Sequence, residues 1–139
     1  MKAIHDIDVA VRATEHWIDD FFRRLGWRDR DRVYLALLTG LHALRDCLQQ
    51  DAAIYLGAQL PALLRGFYYE GWHPVGHPAA TSRNEFLERI HDGLHRDPGV
   101  DAEQVARAMF ALLAARLPAV EVEDAKAATP HELHNLWPS

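Results

Sequence analysis

The sequence predicts an all-α protein made of two tandem pseudo-repeats of about four helices each. Three observations predict it. Residues 17–68 and 86–137 align without a gap at a constant offset: Leu25 falls on Leu94, Leu44 on Leu113, Leu48 on Leu117, Pro61 on Pro130 and Leu64 on Leu133. Such self-similarity marks a repeated supersecondary unit whose copies bury a common core. Apolar residues recur at the 3.6-residue period of a helix. Strand signals are almost absent. Ala119-Val120-Glu121-Val122-Glu123 alternates, but for too few residues to outweigh the repeat.

Each element follows from spacing and punctuation. Trp17, Ile18, Phe21, Phe22 and Leu25 form one apolar stripe, with Thr14 as the expected cap and Gly26 as the stop. Asp31 to Leu48 carries a longer stripe through Val33, Leu37, Leu41 and Leu44. Asp51 to Leu60 reads as a third helix. Pro61 opens a fourth in its first turn, where a missing N–H costs nothing; it runs through Leu64 and Phe67 toward Tyr69. In the second unit Ser82 or Asn84 caps a helix carrying Phe86, Leu87, Ile90 and Leu94. Asp97-Pro98-Gly99 is a turn. Asp101 caps a helix through Leu113 to Leu117, and Val120 to Ala128 is followed by Pro130. Between the units, the Gly- and Pro-rich stretch 71–81 forbids a regular helix. The expected organisation is a single domain over 1–139, with repeat 1 about 14–70, a linker at 71–81 and repeat 2 about 82–138.

Composition narrows the function. The chain has 139 residues, 49% of them hydrophobic, and a formal charge of −5 with histidine neutral. Nucleic-acid binders carry a basic surplus or stripe. Here Arg23-Arg24 and Arg28 to Arg32 are interleaved with Asp20, Asp29 and Asp31, so no nucleic acid is expected. No apolar run approaches the ~18 residues of a membrane span, and the start of the chain lacks a hydrophobic signal segment. The single cysteine, Cys47, permits no internal disulfide. The expected setting is cytoplasmic. Nine histidines are many for this length, and they titrate near neutrality.

The run Leu60-Pro61-Ala62-Leu63-Leu64-Arg65-Gly66-Phe67-Tyr68-Tyr69-Glu70-Gly71-Trp72 stands out. It is preceded by Leu41-His42-Ala43-Leu44-Arg45-Asp46 and followed by Glu85-Phe86-Leu87-Glu88-Arg89-Ile90. Together these segments resemble the DUF2267 family of bacterial and archaeal proteins, over nearly the whole chain from Thr14 onward. The resemblance implies an all-helical protein of two related halves. It carries no catalytic residues, because the family is a domain of unknown function. The linker departs from the family pattern in holding His73 and His77 among its prolines.

Two constellations are candidates for chemistry. Glu88, His91 and His95 stand at i, i+3 and i+7, which places them on one side of a continuous helix. A carboxylate with two imidazoles suits zinc or iron, with His131, His134 or a linker histidine as a further ligand. The first unit has Asp19, Phe22 and Gly26 at the matching positions and so offers no second ligand set. The aromatic segment Tyr68, Tyr69 and Trp72, with His73, is a candidate partner-binding anchor. The same aromatics can instead clasp the linker onto the core, as amphipathic Tyr and Trp do. Cys47 and His42 are five apart on one helix and point in divergent directions, so they form no nucleophile–base pair.

No phosphate loop, nucleophile elbow or cysteine cluster is present. The expected function is therefore a non-enzymatic helical binding or interaction module, in a regulatory or stress-associated role, with no cofactor. Its partner is a protein or small ligand, and self-association is left open. The alternative is a metal-binding protein or metal-dependent enzyme using Glu88, His91 and His95.

Overall fold

The computed structural model describes residues 2–74 and 82–139. Among these residues the elements are helical and no strand occurs. In chain order they are α1 (Lys2–Leu25), α2 (Arg30–Asp46), α3 (Gln50–Ala58), α4 (Ala62–Tyr69), α5 (Arg83–Gly93), α6 (Ala102–Arg116), α7 (Ala119–Ala128) and a C-terminal 3-10 helix (His131–Leu136). The distal part of the linker expected at 71–81, including His77, lies outside the described residues.

Side-chain capping sets three of the starts. Asp29 accepts hydrogen bonds from the backbone N–H groups of Asp31 and Arg32 and begins α2. Asp101 does the same for Glu103 and Gln104 at α6, and the Ser82 hydroxyl accepts from Glu85 N–H at α5. These side chains satisfy N–H groups that have no partner inside the helix. Pro61 and Pro130 each sit at the N-cap, one residue earlier than a first-turn position, before α4 and the 3-10 helix respectively.

The first helix corrects the expectation for Thr14. Thr14 does not cap anything: it lies inside α1, buried, with its hydroxyl unpartnered among the described residues. Ile4, Ile7 and Val11 continue the stripe of Trp17, Phe21 and Leu25 at helical spacing, so nothing in the chain stops the helix at Thr14. Only its C-terminal half packs. Ile4, Ile7 and Val11 are exposed, whereas Trp17, Phe21 and Leu25 are buried.

The core forms around α2 and α6. α2 packs against α1, α4, α5 and α6; α6 packs against α1, α5, α7 and the 3-10 helix. Thus α1 lies on α6 and α5 lies on α2, and apolar side chains from both halves of the chain merge in one cluster. Leu37, Leu41, Leu44, Met109, Leu112 and Leu113 are fully buried. At the edge, Asp20 ties α1 to α6 through Arg116 (2.9 Å) and accepts from Arg24 one turn on (2.7 Å).

Arg45 is the exception inside this cluster. Its residue is only 4% exposed. The guanidinium donates to Tyr68 O (2.7 Å), Glu70 O (2.8 Å) and Asp46 Oδ1 (2.8 Å). One turn earlier, His42 Nε2 donates to Phe67 O at 2.8 Å. Both residues of α2 thereby satisfy carbonyls at the C-terminal end of α4, where the helix dipole favours positive charge. Arg65 repeats the device, donating to Gly57 O (3.0 Å) in the last turn of α3 and to Leu60 O (3.0 Å) just past it.

α3 and α4 approach closely at Gly57. A Cβ there would stand 2.2 Å from the Tyr69 hydroxyl. Cys47 caps the C-terminus of α2, buried, with its thiol donating to Leu44 O at 3.1 Å. Burial pushes the thiol pKa up to about 12.

Three outcomes follow from this packing. Leu44→Ala and Leu113→Ala each lower unfolding free energy by about 2–5 kcal/mol, because buried leucine truncation loses transfer energy and leaves a cavity; chemical denaturation measures it, and a loss under about half a kcal/mol refutes the buried register. Arg45→Ala costs about 3 kcal/mol or more, since it leaves two helix-end carbonyls without their donor and Asp46 with only the more distant Arg89 (3.8 Å); a near-neutral denaturation result would show the guanidinium to be dispensable. Cys47 stays unmodified by an aromatic disulfide reagent at pH 8 in native buffer and reacts fully in denaturant, because a thiol titrating near 12 supplies almost no thiolate.

Candidate functional site

The predicted metal set does not assemble on one helical side. α5 ends at Gly93, Leu94 is its C-cap, and His95 and Arg96 follow in the left-handed region, with φ of 63° and 50°. His95 therefore leaves the helix before it reaches the register of Glu88 and His91, a correction to the i, i+7 reading. Arg96 folds back to pair with Glu88 (2.9 Å) and with Asp92. His91 Nε2 donates to Asp97 O at 2.9 Å, leaving only Nδ1 as a lone-pair donor. His134 Nε2 donates likewise to Thr129 O at 3.0 Å, and the rings of His131 and His134 meet edge to face. Among the described residues, no group of three or more His, Cys, Asp or Glu side chains is placed to hold a metal ion.

The aromatic segment divides. Tyr68 is fully buried and its hydroxyl donates to Ala53 O at 2.8 Å, which removes it from the surface where a partner would touch it. Tyr69 and Trp72 are half-buried and stack with ring centroids 5.6 Å apart, and the Tyr69 hydroxyl donates to Ile54 O. The Trp72 indole N–H is buried without an acceptor among the described residues. His73 is exposed. Most of this cluster thus fastens α4 and the chain beyond it onto α3.

A site that the sequence did not single out lies between α3 and α7. It is a groove of about 320 Å³, within the range of small-ligand pockets. Each side presents residues at i, i+3, i+4 and i+7 to it: Ala52, Tyr55 and Leu56 from α3 with Gln59 at its C-cap, and Glu121, Asp124, Ala125 and Ala128 from α7. Leu48 and Asp51 complete the lining. The walls are mostly apolar because α3 contributes Leu56 and a tyrosine ring, while alanines on α7 leave the space open. α7 has no buried residue of its own, which is why it borders a groove rather than closing onto α3.

The polar groups of the groove are all acidic or neutral. The Tyr55 hydroxyl donates to Glu121 Oε1 at 3.1 Å. That hydrogen bond, together with the Glu121 charge, pushes the Tyr55 phenol above its ordinary pKa, so it stays a donor. Glu121 Oε2 is buried with no donor among the described residues. Among the described residues, no lysine or arginine lines the groove. The missed signal was present in the Glu121, Asp124, Ala125, Ala128 spacing, but its meaning depends on α3 lying opposite.

Among the described residues no helix is long and apolar enough to cross a membrane. No curated protein matches the chain. The family model described as an uncharacterized conserved protein, DUF2267, matches residues 14–136, so the chain belongs to the DUF2267 family.

Proposed function

We propose that this protein is a non-enzymatic, cytoplasmic binding module built on a duplicated helical unit, with its ligand seated between α3 and α7. The observation that carries the reading is the groove itself: an open, apolar concavity with a few convergent polar groups, the usual form of a small-ligand site. The duplication is supported by the recurring order of elements, with Pro61 and Pro130 both at N-caps, and by α1 resting on α6 while α5 rests on α2. The groove falls between the third helices of the two units. At the repeat offset Tyr55 and Leu56 correspond to Asp124 and Ala125, so the second unit is less bulky where the first is large.

The metal alternative on Glu88, His91 and His95 has no comparable support, since Glu88 and His91 are engaged by Arg96 and by the Asp97 carbonyl.

A ligand for the native state alone raises the melting temperature. Screening a fragment library by thermal shift is expected to give stabilising compounds for the wild-type protein that lose their effect on Ala125→Trp, whose indole fills the groove. Circular dichroism checks that this variant keeps its helices. Stabilising compounds that act equally on Ala125→Trp would place the site elsewhere.

A further inference from the structure

We infer that α7 is a strap over the groove: it melts locally between two buried anchors, and so opens and closes the α3 wall, while the rest of the fold stays intact. The motion itself does not need a ligand; its use as a gate rests on the groove being the binding site. The anchors are the residues that flank the helix. Leu117 and Thr129 are 8% and 4% exposed. Each is followed by a proline, and Leu117, Pro118, Thr129 and Pro130 are all extended, with ψ between 143° and 154°. A residue before proline is held out of the helical region. α7 therefore merges neither with α6 nor with the 3-10 helix, and has to stand alone.

Standing alone, it is weak. It has ten residues, fewer than the ~12–15 below which an isolated helix is marginal in water. Pro118 at the N-cap brings no side-chain acceptor to the first N–H groups. None of its residues is buried, and its apolar contact with the core comes from half-buried Val122 and Ala125. The opposite wall is firmer. α3 buries Ala53, Leu56 and Gly57, and the hydroxyls of Tyr68 and Tyr69 pin its carbonyls.

Glu121 sets the balance between the two forms. Its Oε1 accepts from Tyr55 across the groove at 3.1 Å. Its Oε2 is closed to solvent and has no donor among the described residues. A buried acceptor left without a partner is costly, and more so when it belongs to a charged group. Closure thus makes one bond and strands one oxygen; opening loses the first and hydrates the second. Asp51 on α3 and Asp124 on α7 add like charge to both walls. The two forms are accordingly close in free energy, the condition for a segment that orders and disorders. Opening uncovers Leu48, Ala52 and Leu56 on a wall that stays in place, and admits molecules bulkier than the closed groove of about 320 Å³ holds.

Native-state hydrogen exchange on the full chain, followed by NMR at rising sub-denaturing urea, tests this. Amides of residues 123–128 are expected to exchange through an opening at least about a hundredfold more frequent than that of the α6 amides, and nearly independent of urea, because a local opening exposes little surface. The α6 amides should follow the urea dependence of global unfolding. Tyr55→Phe, at an exposed position, should lower α7 protection about tenfold, the worth of one hydrogen bond to a charged group, and leave α6 unchanged. Tyr55→Phe combined with Glu121→Met removes both the latch and the stranded oxygen, and should raise α7 protection above that of the wild type. An α7 that exchanges with the rate and urea dependence of α6 overturns the strap. α7 protection unmoved by Tyr55→Phe, or a double variant no better protected than the wild type, overturns the balance assigned to Glu121. The Ala125→Trp screen judges the groove separately: an opening α7 over a groove that binds nothing supports the strap and overturns its use as a gate.

Discussion

The buried guanidinium of Arg45 is the constraint from which the rest of the first half follows. A charge in a low-dielectric interior is tolerated only when its donors are nearly all used. Arg45 meets this by holding Asp46 beside it and the carbonyls of Tyr68 and Glu70 across from it. That requirement fixes the end of α4 against α2 to within hydrogen-bond tolerance. With α4 so placed, Tyr68 points into the core and its hydroxyl finds Ala53 O on α3. Tyr69 then crosses α3 where only a residue without a Cβ fits, at Gly57. The position of α3, and with it one wall of the groove, is inherited from a single cation two helices away.

The segments that carry the family resemblance are the ones joined by this network. Leu41 to Asp46 and Leu60 to Trp72 are far apart in sequence, yet His42 and Arg45 of the first bond the carbonyls of Phe67, Tyr68 and Glu70 in the second. Their composition therefore has an internal structural cause. The histidines follow the same economy. His42, His91 and His134 all use Nε2 as a donor to a backbone carbonyl, which gives three members of an unusual histidine content a structural place.

Much of the fold was legible in the sequence because apolar period and capping chemistry are local. Asp101 and Ser82 cap where their spacing says they should, and the stripe of Leu37, Leu41 and Leu44 is buried as its period requires. Errors arose where local signals were ambiguous. Thr14 resembles a cap, but the residues before it continue the same apolar stripe. His95 resembles a helical ligand, but the helix ends against α2, where Gly93 approaches Thr39 so closely that a Cβ would stand 2.4 Å from a methyl carbon. The chain turns there by way of two left-handed residues that no periodicity announces. The α3–α7 groove was illegible for a different reason. It is a gap between elements some seventy residues apart in the chain, so its shape depends on packing.

The length of α1 has a mechanical meaning. Its C-terminal half is bonded into the core by Trp17, Phe21 and Leu25, while the turns bearing Ile4, Ile7 and Val11 stand clear of it. Unwinding those first turns breaks backbone hydrogen bonds but exposes little apolar surface that the folded protein hides. The two halves of one continuous helix thus belong to different cooperative units: the outer turns open at a small fraction of the global free energy, and the inner turns only when the core itself comes apart. The boundary falls at Thr14, where the family match also begins. A residue that looked like the start of a helix marks instead the point at which a helix becomes part of a globule.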